Sequence, residues 1–388
     1  MEEKKLKVIY VYDTHLSKRW LQNFCLDEMN DIFDIEYWDC ASIVEIEYKT
    51  KIIIPRPYVV TINSLKDLET NLKRLPKDTL MVNGIHASLE DLKIHKILSR
   101  HIKNSIRVYC FSADKVTEFV YKNTIGSKMR KVASIHVFER ICHKIRWKWA
   151  SHLYKNMYKD YSIASLRSEE YNYHINHPDY ERYRCALKQK TEFEGQRYVV
   201  YIDNQFPNHN DIIGRERNFD PVKMAPKFYA SLNRFFDRVE ERYNCKVKIA
   251  GHPIAQYKEN PYGGREILYD KTVELVKEAL AVCIHTSNAF SYVVLFDKPV
   301  ALLYNSVYTQ AKIEYGRLQG ESQKLHLPLV NTDDPLPAEG SVFTKLDKDI
   351  AENYKSTYLI ASPAETNAEL YIKIFHQIYD DWQKSKMR

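Results

Sequence analysis

"VKIAGHPIAQY", residues 247–257, runs an apolar strand straight into Gly251-His252-Pro253. Glycine lets the backbone turn at a sheet edge, and proline fixes the exit direction while removing a backbone donor. An imidazole is left at the strand tip. A similar ending follows about thirty residues later in "AVCIHTSNAF" (281–290), where an apolar strand meets His285-Thr286-Ser287. A third, "YVVYID" (198–203), ends on Asp203. Short, continuously apolar strands separated by helical segments predict a parallel sheet covered on both faces.

The same alternation is present upstream. "KLKVIYVYD" (5–13) reads as a strand ending at Asp13, with a helix near 16–30. "FDIEYWD" (33–39), "DTLMVNG" (78–84) and "IRVYCFSAD" (106–114) read as strands, and 95–104 has helical spacing. Downstream, helices are expected near 224–243 and 270–279, a strand over 298–303, and a terminal helix over 364–386. The expected organisation is an N-terminal α/β domain over 1–165, a connection over 166–194, and a second α/β domain with the terminal helix over 195–388. The fold class is therefore α/β, with two facing Rossmann-like domains and a closing C-terminal helix.

Composition bounds the function. With 388 residues, 44% hydrophobic and 28% charged, the chain suits two globular domains. Its seven cysteines show no C-x-x-C spacing, as expected of reduced thiols in a cytoplasmic protein. No apolar run approaches the length needed to span a membrane. The net charge of +7 permits an anionic partner without selecting one. No P-loop, no G-x-G-x-x-G after the first strand, no D-x-D at a strand end and no H-E-x-x-H occur. An ATPase-type phosphate loop and a dehydrogenase are thus disfavoured, and neither a catalytic metal nor a cofactor is expected.

Residues 128–159 form a basic amphipathic stretch. Phe138, Ile141, Cys142, Ile145, Trp149, Leu153 and Met157 recur at helical steps, against nine lysines and arginines and the single acid Glu139. The stripe is expected to pack on the sheet. The bases, with Trp147 and Trp149, fit peripheral contact with an anionic membrane face.

Ligands of open parallel sheets bind beyond the carboxyl ends of the strands. Asp203, His252 and His285-Thr286-Ser287 all fall there. Thr286 or Ser287 is expected to cap the following helix, so that free N–H groups and hydroxyls receive an anion. His252 would donate to a phosphate oxygen. Arg265, Lys271 and Thr272 would complete a phosphate clamp. Asp13, with His15 and His86 after the strands of the first half, is the candidate general base. Asp203, His209 and Asp211 would line the cleft.

The block "VKIAGHP…YGGREILYDKTVELVKEALAVCIHTSNAFSYVVLFDKPVALL" resembles the donor-binding half of GT-B type bacterial glycosyltransferases of capsule and lipopolysaccharide synthesis. The likeness spans roughly 175–305. Its HP and Ser/Thr loops are similar to those of bacterial sialyltransferases and polysialyltransferases. That resemblance implies a nucleotide-sugar donor, with a CMP-sugar as one class, and a glycan or glycolipid acceptor. It implies that Gly251, His252 and Pro253 meet the donor phosphate, with Thr286 and Ser287 gripping the same group. Asn288 stands where a second hydroxyl is usual. Two other readings stay open: a teichoic-acid type transferase using a CDP-alcohol, and a non-enzymatic protein that binds anionic membranes or nucleic acid. Nucleic acid is not the expected partner.

Overall fold

The computed structural model describes residues 5–44, 54–110, 145–146, 148–150, 152–154, 157–209, 212–213, 216, 219–255 and 257–386. They divide into two compact units. The first comprises residues up to Pro178 together with those from Ala361 onward, and the second runs from Asp179 to Ile360.

The first unit is built on strands β1 (Lys7–Tyr12), β2 (Asp34–Asp39), β3 (Val59–Thr61), β4 (Leu80–Asn83), β5 (Asn104–Tyr109), β6 (Lys159–Ala164) and β7 (Tyr173–His174). Their order is β3-β2-β1-β4-β5-β6-β7, and every pairing is parallel. β1 pairs from Lys7↔Asp34 to Tyr12↔Asp39, and Val8–Val11 are fully buried because helices cover both faces. The helix expected near 16–30 is two helices, Lys18–Asn23 and Leu26–Ile32, broken where Cys25 adopts a left-handed backbone. Ser17 caps the first of them. Asp13 is therefore not a helix cap.

The second unit repeats the plan. Strands β8 (Tyr198–Ile202), β9 (Lys246–Gly251), β10 (Ile267–Tyr269), β11 (Ala281–Ile284), β12 (Val300–Tyr304) and β13 (Leu329–Asn331) lie in the order β10-β9-β8-β11-β12-β13. All are parallel. In both sheets the order reverses beside the first strand, between β1 and β4 and between β8 and β11. Each is thus a doubly wound, Rossmann-type sheet with its switch point at that pair.

The helix Pro221–Tyr243 covers the second sheet. Asp220 caps it by accepting the Val222 and Lys223 N–H groups, Pro221 occupies the first turn, and Asn244 ends it in a left-handed conformation. Phe228, Leu232, Phe235, Phe236 and Val239 recur at helical spacing on its buried face.

The terminal helix Asn367–Lys386 packs Leu370, Tyr371, Ile374, Phe375 and Ile378 into the apolar cluster of Tyr10, Phe24 and Phe33. It therefore belongs to the first unit, whereas the sequence reading grouped it with 195–388. The physical reason is local. Buried Asn176 accepts the N–H groups of Ala361 and Ser362 on its Oδ1, both at 2.9 Å, and exchanges two 2.9 Å hydrogen bonds with Asn367. These bonds satisfy the backbone where the chain re-enters the unit, so the helix starts against the first core. The stretch 166–194 also holds a helix, Pro178–Leu187, where a polar connection was expected.

Among the described residues no helix is long and apolar enough to cross a membrane.

Candidate functional site

In the second unit the loops after β8, β9 and β11 are tied together at the carboxyl edge. Asp203 is buried, and its Oδ2 accepts the His252 N–H at 3.3 Å and the Tyr257 hydroxyl at 2.7 Å. Its Oδ1 accepts the Gln205 N–H at 2.6 Å, and its own N–H donates to the Ala250 carbonyl at 3.0 Å. Asp203 is thus a brace that holds the Gly-His-Pro loop to β8. Burial beside that carboxylate drives the Tyr257 hydroxyl well above the usual phenol range, so it stays a proton donor. Asn204 donates from Nδ2 to the Thr286 carbonyl at 3.3 Å, linking the β8 and β11 loops across the switch point.

His252 is half-buried at the tip of β9, and its ring meets that of His209 edge-on at 5.1 Å between centroids. Pro253 is exposed beside it. Gly251 is demanded by packing: a Cβ there would lie 2.7 Å from the Tyr269 ring and 2.9 Å from Ile267 Cγ2. The Thr286 hydroxyl lies 3.0 Å from the Tyr308 hydroxyl and 3.3 Å from Glu314 Oε2. Ser287 Oγ accepts the Ala289 N–H at 3.3 Å, and Asn288 is exposed.

Four expectations change here. His285 is not at the surface of the site. It is fully buried, stacked on Tyr308 with centroids 4.7 Å apart, and its Nδ1–H donates to the Leu303 carbonyl at 2.6 Å. Burial pushes its pKa down to about 4, against the pull of that carbonyl, so it is a neutral core histidine. Arg265 is not a free phosphate ligand. Its guanidinium pairs with Asp237 at 2.5 Å and Glu240 at 2.7 Å on the long helix and lies over Phe236. Lys271 pairs with Glu192 at 3.4 Å, and Thr272 begins the helix Thr272–Glu278 behind it. Finally, the helix after β11, Phe290–Leu295, has Ala289 at its cap position and only six residues. Ser287 shapes the turn before it rather than capping it. Asp211 lies outside the described residues.

Sequence reading missed Asn204, Tyr257 and Glu314. Asn204 follows Asp203 directly, and the strand-end rule extends to it. Glu314 opens the helix Lys312–Leu325, where Glu216 Oε1 accepts the N–H groups of Ile313 at 2.6 Å and Glu314 at 3.0 Å. Arg317 lies 3.5 Å from Glu314 on that helix, and burial raises the nearby Glu321 to about 8, with Arg317 opposing.

The first unit carries two carboxylate–imidazole pairs at its own carboxyl edge. Asp13, just past β1, is buried, and its Oδ2 lies 3.8 Å from His86 Nδ1 after β4. Burial raises the Asp13 carboxyl above the ordinary range, with the His86 imidazole pulling the other way. At the end of β2, Asp39 Oδ2 accepts the His15 Nδ1–H at 2.6 Å, and its Oδ1 accepts the Ala41 N–H at 3.1 Å. Asp39, unread in the sequence, is thus the group that orients His15.

The loop bearing His86 is held from below. His95 is buried, its Nε2–H donates to the His86 carbonyl at 3.2 Å, and its Nδ1 meets the Tyr158 hydroxyl at 3.1 Å. Burial, with Arg107 nearby, lowers His95 to about 3. Tyr154 donates to the Ser88 carbonyl at 2.6 Å. Gly84 turns the chain where a Cβ would meet the Tyr12 ring at 2.2 Å.

Among the described residues no group of three or more His, Cys, Asp or Glu is placed to hold a metal ion.

No family model and no curated protein matches the chain. Solved structures with weak overall likeness include a UDP-N-acetylglucosamine 2-epimerase at 9% identity, covering 98% of this chain and 97% of that one, with a TM-score of 0.47. The UDP-GlcNAc 2-epimerase from Methanocaldococcus jannaschii is 9% identical over 96% of this chain and 99% of its own, with a TM-score of 0.45. The glycosyltransferase SnogD from Streptomyces nogalater is 8% identical over 96% and 99%, with a TM-score of 0.43.

Proposed function

We propose that this protein is a metal-independent glycosyltransferase that moves a sugar from a nucleotide donor, a CMP-sugar being the first class to test, to a surface polysaccharide or lipid-linked glycan. The observation that carries this reading is the bracing of three loops at one sheet edge: Asp203 holds the His252 loop, and Asn204 holds the Thr286 loop. A preorganised edge of this kind, at a topological switch point, suits a nucleotide phosphate.

In this reading the second unit binds the donor through Gly251, His252, Pro253, Thr286, Ser287 and Asn288, with His209 beside His252. The first unit supplies the base. Asp13, whose carboxyl is raised by burial, takes the proton from the acceptor hydroxyl as that oxygen bonds to the anomeric carbon. The bond from the anomeric carbon to the phosphate oxygen breaks, and its electron pair leaves with the nucleotide. His252 stabilises the departing phosphate by donating a hydrogen bond.

The test is nucleotide release from a panel of CMP-, UDP- and GDP-sugars, with and without glycan acceptors. Release from one nucleotide class, weakened in both His252→Ala and Asp13→Asn, supports the reading. Release from a CDP-alcohol alone would redirect it to polyol-phosphate transfer.

A further inference from the structure

Of the stripe expected to pack on the sheet, Met157 packs on the core of the first unit and Leu153 is half-buried, whereas Ile145 and Trp149 face outward; Phe138, Ile141 and Cys142 lie outside the described residues. Residues 145–146, 148–150 and 152–154 are helical. Their buried side is formed by Ala150 and Tyr154, and Tyr158 continues that side. Tyr154 meets the His95 ring edge-on at 4.4 Å, and Tyr158 meets it at 5.8 Å. Ile145 is left 60% exposed and Trp149 64% exposed. Positions 145, 148, 149 and 152 follow helical spacing, so Ile145, Lys148, Trp149 and His152 share one outward face. The apolar residues of that face are the reverse of what core packing would select.

The neighbouring helix Leu92–His101 shows the same bias. It presses His95 against Tyr154 and exposes Lys93, Lys96 and Arg100 at three- and four-residue steps. Neither "IRWKWASHLY" (145–154) nor "LKIHKILSRH" (92–101) contains an acidic residue. Of the described acids at the start of the helix Leu92–His101, Asp91 is buried and Glu90 pairs with Arg146. Two adjacent helices therefore present an exposed tryptophan and isoleucine together with the exposed bases Lys93, Lys96, Arg100 and Lys148, which pair with no acid among the described residues.

We infer that this face docks on an anionic lipid bilayer. The indole and the isoleucine enter the headgroup boundary, and Lys93, Lys96, Arg100 and Lys148 meet the lipid phosphates. A tryptophan is favoured at that depth because its ring is apolar while its N–H is satisfied by headgroups. Lysine and arginine stems lie along the boundary with their charges in the aqueous layer. Nucleic acid satisfies the charges but leaves Ile145 without a partner, which is why the bilayer is the occupant. The surface is independent of the donor loops, so its test does not depend on the proposed chemistry.

The experiment is vesicle flotation of the full chain with phosphatidylcholine alone and with about one third phosphatidylglycerol, followed by tryptophan emission. Binding to the anionic vesicles with a blue-shifted emission, and little binding to the neutral ones, is expected. Trp149→Ala should weaken partitioning on the order of tenfold. Reversing Lys96 and Arg100 to Glu should weaken it by at least about fivefold per residue. Because these side chains are exposed, both variants should keep the thermal midpoint and nucleotide binding of the parent. The inference is overturned if anionic vesicles do not float the protein, or if both variants bind as well as the parent. It is also overturned if RNA, but not vesicles, is bound through these residues, or if Trp149→Ala only dissolves a dimer.

Discussion

His285 gives the most quantitative test of the second unit. Its imidazole is fully buried and neutral, with a pKa near 4 against about 6.5 for an exposed histidine. The unfolded chain binds the proton first, so stability is lost as pH falls through about 6.5 and keeps falling until about 4. Between about pH 7.5 and pH 5 this one group should cost about 2 kcal/mol. The perturbation is His285→Gln, which removes the titration while keeping a donor for the Leu303 carbonyl. Denaturant unfolding of parent and variant at the two pH values gives the difference in pH dependence directly. The units are separable in this assay, because the sequence places no tryptophan between 179 and 360. Tryptophan emission follows the first unit, and hydrogen exchange of β11 and β12 peptides follows the second. The variant should be less stable at neutral pH but lose about 2 kcal/mol less on acidification. An unchanged pH dependence combined with loss of nucleotide binding would refute the core assignment and return His285 to the donor site.

Asp13→Asn should raise the stability of the first unit near neutral pH, read by tryptophan emission. The raised carboxyl favours its protonated form in the fold, so its contribution is full at low pH and is lost as pH rises through the folded value. The same variant should lose transfer activity by about 10²–10⁴-fold. A variant that is both less stable and fully active would contradict the base assignment. Gly251→Ala should destabilise the second unit by about 1–3 kcal/mol and weaken nucleotide binding. The Tyr269 ring can swing toward solvent, but Ile267 Cγ2, 2.9 Å from the new Cβ, must be pushed aside, which displaces His252.

The central strands were legible because burial on both faces writes them as continuous apolar runs: "VIYVY" in β1, "YVVYI" in β8 and "AVCI" in β11. The edge strands β3, β10 and β13 are three residues each, too short to stand out from the loops that flank them, so they were missed. The strand-end rule placed Asp13, Asp203, His252 and Thr286 just past their strands, since position past a strand is a sequence property. It could not separate a residue that stays in the core from one that leaves it. His285 is one step beyond β11 yet remains under Tyr308 and Phe228. Arg265 looked like a phosphate ligand because its partners, Asp237 and Glu240, are about twenty-five residues away and meet it only when the long helix packs. Among the described residues of the 138–157 stripe, Met157 packs inward as expected, but Ile145 and Trp149 turn outward. Periodicity fixes which residues share a face, while Tyr154 and Tyr158, hydrogen-bonded to the loop and helix beneath, decide which face turns inward.

The central claim is that the braced edge of the second unit receives a nucleotide phosphate through His252. Isothermal titration of the full chain with CMP, CDP, UDP and GDP tests it most directly, comparing the parent with His252→Ala. One nucleotide class is predicted to bind saturably to the parent and at least about tenfold more weakly to the variant, as expected for loss of a hydrogen bond to a charged group. Absence of binding by all four nucleotides, or equal binding by parent and variant, would contradict the account.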